Sequence, residues 1–317
     1  MTISDRISQM MNTDQPYLTD GGLETWLIFE RGFELPAFAA FPLLRQDEGR
    51  AALVEYFAKF LDVAEKAGRG FVLDTPTWRA GVAWCDALGL SAAEIMAANK
   101  DAVALAKTIR DARETSDLPI VINGQIGPAG DAYDGDRVLG IAAAEKIHAP
   151  QIAALAEAGA DLVSALTLGT TSEAIGIAHA AIAADIPFVV SFTTETDGKL
   201  PNGTTLADAI REVDNVTGGA PLYYMINCAH PDHFRGRLEG GGADWLGRIR
   251  GVRGNASRLS HAELDEATEL DAGDPVEFGA LSHALGEMLP NLSMLGGCCG
   301  TDHRHVHHIA AAAQGGS

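Results

Sequence analysis

Read from one end to the other, the chain alternates short β-rich runs with longer alanine-rich stretches of helical period, and it does so eight times. The expected strands are Tyr17–Asp20, Gly70–Asp74, Pro119–Gly124, Ala160–Leu166, Pro187–Thr193, Leu222–Cys228, Ile249–Asn255 and Leu292–Cys298. Helical patterns follow at Gly49–Lys66, Ser91–Arg113, Ile141–Ala158, Thr171–Ala184, Thr204–Asn215, a short stretch near Trp245, Pro275–Leu289 and Asp302–Ala313. Strands that alternate with helices pair in parallel, and eight such units close into a barrel more readily than they extend an open sheet. The expectation is a single-domain (β/α)8 barrel over residues 1–317, with 1–15 as an N-terminal extension. Gly68 and Gly159 fit helix ends, and Asp302 fits the N-cap of the last helix.

A parallel closed barrel places its chemistry at the C-terminal ends of its strands, where residues distant in sequence share one rim. Three of the four cysteines fall there. Cys228 ends the run Leu222-Tyr223-Tyr224-Met225-Ile226-Asn227, and Cys298 and Cys299 follow Leu292-Ser293-Met294-Leu295-Gly296-Gly297. Neighbouring side chains on a strand point to opposite faces, so adjacent cysteines serve one centre only where the backbone leaves strand geometry; the flanking glycines permit that. Three thiolates suit a tetrahedral zinc ion with its fourth position open to substrate. Buried inert cysteines, or a strained Cys298–Cys299 disulfide, would give the same letters, and no C-x-x-C pair decides between them. Cys85, in Val82-Ala83-Trp84-Cys85, reads as plain core.

Charge bounds the partners. With 23 Lys and Arg against 43 Asp and Glu, the net charge of −20 argues against nucleic acid or an anionic membrane surface. Met1 to Gln15 is polar, without an apolar signal region, and no run approaches a membrane span. A cytoplasmic location, which keeps thiols reduced, is the expectation.

These motifs resemble the zinc-dependent homocysteine S-methyltransferase family, which includes betaine–homocysteine and S-methylmethionine–homocysteine methyltransferases. The resemblance runs through Asp20-Gly21-Gly22-Leu23-Glu24-Thr25, Gly127-Pro128-Ala129-Gly130-Asp131, Ser191-Phe192 with Asp197-Gly198, Ile226-Asn227-Cys228 and Gly296-Gly297-Cys298-Cys299-Gly300. It implies a (β/α)8 barrel in which Cys228, Cys298 and Cys299 bind Zn2+. The implied reaction moves a methyl group from a small onium donor (S-methylmethionine, glycine betaine or dimethylsulfoniopropionate) to the thiol of homocysteine, giving methionine.

For the remaining sites, Asp20 is expected to face the amino group of the acceptor while the Gly21 and Gly22 amides approach its carboxylate; the alternative is an ordinary Asp-Gly turn. Glu24 and Asn227 are further candidates, the first competing with a solvated helical turn, the second with a bond to the rim backbone. Where relatives carry Ala-Cys-Glu-Thr after the fourth strand, with the glutamate binding the amino acid, this chain reads Ser164-Ala165-Leu166-Thr167. Leucine cannot pair with an ammonium group, so Glu195, with Asp197 beside it, is the expected substitute. Trp26, Trp78 and Tyr133 are candidates for an aromatic cage around the onium donor. His230 is a candidate for orienting the metal ligands, and His303, His305, His307 and His308 are expected to be solvated or packed at the rim. Partners are then a small-molecule thiol acceptor and an onium donor, with a homo-oligomer left open. Two alternatives stand beside this reading. One keeps the chemistry with a different thiol or selenol acceptor, and the other is a non-catalytic zinc or redox sensor.

Overall fold

A computed structural model describes residues 2–134 and 138–312. Eight parallel strands close into a barrel in chain order: β1 (Tyr17–Leu18), β2 (Phe71–Asp74), β3 (Ile120–Ile126), β4 (Leu162–Leu168), β5 (Phe188–Phe192), β6 (Tyr224–Asn227), β7 (Ile249–Gly254) and β8 (Met294–Gly297). The register Tyr17↔Met294 and Leu18↔Leu295 joins β8 to β1 and completes the ring. The expected fold class is therefore correct, and the expected helices lie where they were placed. Ile141–Ala158 matches to the residue, most others shift by one or two positions at their ends, and the expected Pro275–Leu289 is an α-helix only over Pro275–Ala284, followed by a 3-10 turn at Leu285–Glu287. The last helix is described as His303–Ala312, and residue 313 lies outside the described residues. Between β6 and β7 the main helix is Pro231–Leu238, ahead of the short turn Ala243–Leu246 that carries Trp245.

Local chemistry explains these limits. Gly68 and Gly159 end their helices at φ +62° and +80°, the left-handed conformation glycine takes without a Cβ clash. Ser91 and Glu94 form a reciprocal capping box. Asp302 accepts the Arg304 amide at 2.8 Å, the N-cap role expected of it.

Side chains alternate across each strand, so every second residue faces the barrel axis. The lower interior is apolar: Tyr17, Val72, Val121, Leu162, Val189, Met225 and Met294 pack together. The segment before β1, read from sequence only as a polar extension, contains the helix Ile3–Met11, whose Ile7 and Met10 join this cluster. Arg6 donates to Ile120 O (2.8 Å) and Arg250 to Met11 O (3.0 Å), so the helix stoppers the N-terminal end. Two residues further along the same inward faces, the interior turns polar at Asp74, Asn123, Ser191, Asn227 and Arg253, all buried. The site begins at that change. Among the described residues, no helix is long and apolar enough to cross a membrane.

Candidate metal centre and substrate cavity

The three cysteines converge because both strands break where the sequence permits it. Cys228 follows β6 with φ +57°, a left-handed conformation that turns its side chain off the strand alternation. After β8, Thr301 Oγ1 donates to Cys298 O at 2.7 Å and Gly300 sits at φ +76°, closing a turn that brings both thiols to one side. The three Sγ atoms lie within 4.8 Å of one another, with Cys228 and Cys299 3.7 Å apart. A tetrahedral zinc ion with Zn–S bonds of about 2.3 Å requires S···S separations of about 3.8 Å. The trio therefore fits such an ion with little adjustment. Hydrogen bonding from the Cys228 thiol, then from Cys299, holds Cys298 well below the ordinary thiol range, and Arg253 adds to the effect. The same contacts push Cys228 and Cys299 up. The arrangement can already hold negative charge on sulfur.

A polar frame fixes this trio. Asn227 accepts from the Thr167 amide (2.8 Å) and Ser191 Oγ (2.6 Å), then donates to Thr167 Oγ1 (2.8 Å) and to Cys298 Sγ (3.9 Å). It thus bonds both the rim and a metal-ligand candidate. Arg253, 4% exposed, donates through Nε to Gly297 O (3.1 Å), and its two terminal nitrogens pair with Asp20 and Asp74. Asp74 also accepts from Asn123 (2.6 Å) and Gln125 (3.0 Å). Burial pushes the Asp20 carboxyl up to about 7 despite Arg253. The ion cluster consequently braces β1, β2 and β7 behind the cysteine turn.

A cavity of about 540 Å³ opens over the trio, a size suited to two small molecules. Asp20, Gly21, Gly22, Glu24 and Asn227 all line it, as do Leu166, Trp78 and Tyr133. Four expectations about these residues need correction. First, Asp20 is committed to Arg253 and does not stand as a free anion for an ammonium group. Second, the Gly21 amide donates to Tyr56 Oη (3.2 Å) and the Gly22 amide to Thr301 O (3.0 Å), so neither is free for a carboxylate. Third, Glu195 lines a small neighbouring crevice with Thr194, His233 and Ser257, which shares Tyr133, Cys228, Asn255, His261 and Leu264 with the cavity, and Glu195 is not among the residues that line the cavity itself with Leu166. It does not replace the missing carboxylate beside Leu166.

The fourth correction concerns the cage. Trp26 is buried against Tyr56 and lies away from the cavity, its ring covered by Lys59 (4.8 Å) and Arg31 (5.4 Å). The Arg79 guanidinium covers one face of Trp78 at 4.0 Å, and Tyr133 stacks on His261 at 3.7 Å. Aromatic faces attract cations, and here the protein's own groups cover one face of Trp78 and of Tyr133 while both rings still line the cavity.

His230 caps the helix Pro231–Leu238 by accepting the Asp232 amide at 3.1 Å, and burial lowers its pKa to about 4, leaving it neutral. His305 is buried and bonds Ala272 O, anchoring the last helix. Among the described residues, Cys228, Cys298 and Cys299 form the one cluster of potential metal ligands, without the late histidines. Cys85 packs at the edge of the core, as read.

Glu24 stands apart from its neighbours. Burial pushes its carboxyl up to about 8, with Asp20 and Cys298 adding to the rise and Arg79 opposing it. It is an acid in the cavity wall without an ion-pair partner among the described residues.

Close backbone packing joins these parts. A Cβ on Gly22 would stand 2.8 Å from Cys298 O and 3.1 Å from Cys299 Cα. Gly22→Ala should therefore displace the cysteine turn and weaken metal binding by roughly 10- to 100-fold, the range produced by disturbing the surroundings of metal ligands. Chelator competition measures this; unchanged affinity would mean that the turn yields elsewhere.

Comparison with known proteins agrees with this architecture. A model of the homocysteine S-methyltransferase family matches residues 17–313. Two crystal structures of the homocysteine methyltransferase MmuM from Escherichia coli superpose on the chain. The oxidized form does so with TM-score 0.74 at 24% identity and the metallated form with TM-score 0.73 at 23%, each covering 96% of this chain and 99% of the other. A methyltransferase from Methanosarcina mazei follows with TM-score 0.52 at 11% identity, covering 99% of this chain and 98% of its own.

Proposed function

Because the chain belongs to the homocysteine S-methyltransferase family, we propose that it transfers a methyl group from a small onium donor to homocysteine, with Zn2+ held by Cys228, Cys298 and Cys299. The observation that carries the proposal is the convergence of three thiols, within 4.8 Å, under a 540 Å³ cavity. Bound there, zinc supplies a Lewis acid that favours the thiolate of an incoming thiol, whose pKa is otherwise about 8.5. The protein does the rest. Asn227 and Arg253 orient the cysteine turn, and the cavity walls hold acceptor sulfur and donor methyl in line. The new S–C bond forms from the sulfur lone pair as the methyl–onium bond breaks, and its electron pair leaves with the donor as a neutral thioether or tertiary amine. Nothing need be oxidised or reduced.

Leu166 in the cavity wall favours a second reading, in which the acceptor is another thiol or selenol. The homocysteine reading needs a carboxylate for the acceptor ammonium, and Glu24 supplies it. An ammonium beside it would favour ionisation of a carboxyl that burial keeps protonated. Glu24→Gln should raise the KM for homocysteine roughly 10- to 100-fold, the worth of a charge-assisted hydrogen bond, with the donor KM little changed. An unaltered homocysteine KM would favour the second reading.

The direct test is mass-spectrometric detection of methionine from reduced, zinc-loaded protein supplied with homocysteine and S-methylmethionine, glycine betaine or dimethylsulfoniopropionate. Methionine with one donor establishes the reaction. No methionine with any of the three, from protein carrying one zinc per chain, removes the homocysteine assignment for these donors.

A further inference from the structure

Arg79 follows β2 and lines the cavity; in the eight-strand ring it lies across from Cys228, four strands away after β6, and two strands from β8, which Cys298 and Cys299 follow. Its guanidinium lies between two indoles, 4.0 Å from the ring centre of Trp78 and 3.8 Å from that of Trp84. Each indole is tied down in turn: Trp78 Nε1 donates to Leu166 O (3.4 Å) and Trp84 Nε1 to Pro128 O (3.3 Å). Arg79 Nη1 donates to Gly130 O at 3.0 Å, Nε is buried without a hydrogen-bond partner, and no carboxylate lies within ion-pair distance among the described residues. Burial lowers its pKa only to about 10, so the group stays cationic at neutral pH.

Buried charges are ordinarily paired, and stacking on indoles offsets only part of the desolvation. The clamp holds the guanidinium flat and rigid, which prepares it for a planar carboxylate. The cavity is also polarised. Three thiolates around a dication would leave one negative charge at the cysteines, while Arg79 places a positive charge on the β2 wall, across from Cys228. An onium group is repelled by Arg79 and drawn to the thiolates, and a carboxylate behaves the opposite way.

Resting on the methyl-transfer reading above, we propose that Arg79 is the carboxylate receptor of the methyl donor, so that the site selects zwitterionic onium compounds and orients them with the methyl group towards the metal centre. In-line transfer agrees with this direction. The acceptor sulfur occupies the metal side, so the donor body must extend away from it, towards β2 and β3. Arg79 is a positioning and specificity residue; it touches no reacting atom.

The test is equilibrium dialysis of zinc-loaded protein with S-methylmethionine, glycine betaine and dimethylsulfoniopropionate, each compared with its methyl ester, which keeps the onium and removes the carboxylate charge. Wild type should bind at least one acid roughly 10- to 100-fold tighter than its ester, Arg79→Gln should abolish that preference, and Arg79→Lys should keep part of it. Should Arg79→Gln misfold, as judged by circular dichroism and zinc content, the wild-type comparison and Arg79→Lys still decide. Equal binding of every acid and its ester, or no detectable binding of any acid, overturns the proposal. So does an Arg79→Gln effect on homocysteine binding alone. Methionine formation scored separately keeps the two readings apart: product without ester discrimination sinks the Arg79 assignment only, and ester discrimination without methionine sinks the homocysteine assignment only.

Discussion

Cys298→Ala is expected to lose its zinc and at least about 1000-fold in turnover. Two sulfurs cannot hold the ion as three do. Changes merely beside metal ligands weaken binding by about 10- to 100-fold, so removal of a ligand sets in at the upper end of that range or beyond. The rate loss has two sources. A free thiol of pKa about 8.5 is only about 3% thiolate at pH 7, so losing the metal's effect on acidity alone accounts for about 30-fold. The larger part is positional: without the ion nothing fixes the acceptor sulfur against the donor methyl, and well-oriented groups enjoy effective molarities of 10⁵ M or more by order of magnitude. Cys85→Ala, at the edge of the core and outside the trio, should leave metal content unchanged. Metal analysis and methionine yield on the two variants check this together. Full zinc content and turnover in Cys298→Ala would show that the trio is not the metal centre.

The barrel could be read from the chain because its signals are local: strand runs, helix periods, and the glycines and caps that separate them. The cysteines could be read because strand ends converge in a barrel, whatever lies between them in sequence. What escaped was long-range pairing. Asp20 was visible as a rim acid, yet its partner Arg253 lies 233 residues away, and only the register of β7 against β8 aligns Arg253 with Gly296 beside the cysteine turn. One signal was present and unused. Asp74, Asn123, Ser191, Asn227 and Arg253 are polar residues on the inward period of strands that are otherwise apolar there, a pattern that costs stability unless the groups satisfy one another. Glu195 misled for the opposite reason. Proximity to a strand end in sequence does not say whether a loop acid will line the cavity or a crevice beside it, whereas Glu24, a candidate weighed against a solvated helical turn, lines the cavity because the helix Leu23–Phe29 starts directly at the rim.

Arg253→Met is expected to cost about 3–5 kcal/mol, since it leaves Asp20 and Asp74 buried without their cation. For a domain of this size that corresponds to a fall in melting temperature of about 5–8 °C. The pH dependence carries the diagnosis. Asp20 titrates at about 7 even with Arg253 in place, and without the guanidinium it moves higher still. A carboxyl whose folded pKa lies above its unfolded value of about 3.9 binds more protons folded than unfolded across the interval between them, so stability falls as pH rises through it. The penalty in Arg253→Met should therefore be small near pH 4, grow towards neutrality, and level off only above the raised folded pKa. Adding Asp20→Asn and Asp74→Asn should remove much of it, because the three side chains act as one cluster and their effects cannot add independently. The same variant also loses the hydrogen bond from Arg253 Nε to Gly297 O, so metal affinity should weaken alongside stability. A pH-independent loss that the two asparagines do not relieve would place the cost in packing around residue 253, and the ion cluster would then be an ornament of the barrel with no part in bracing the cysteine turn.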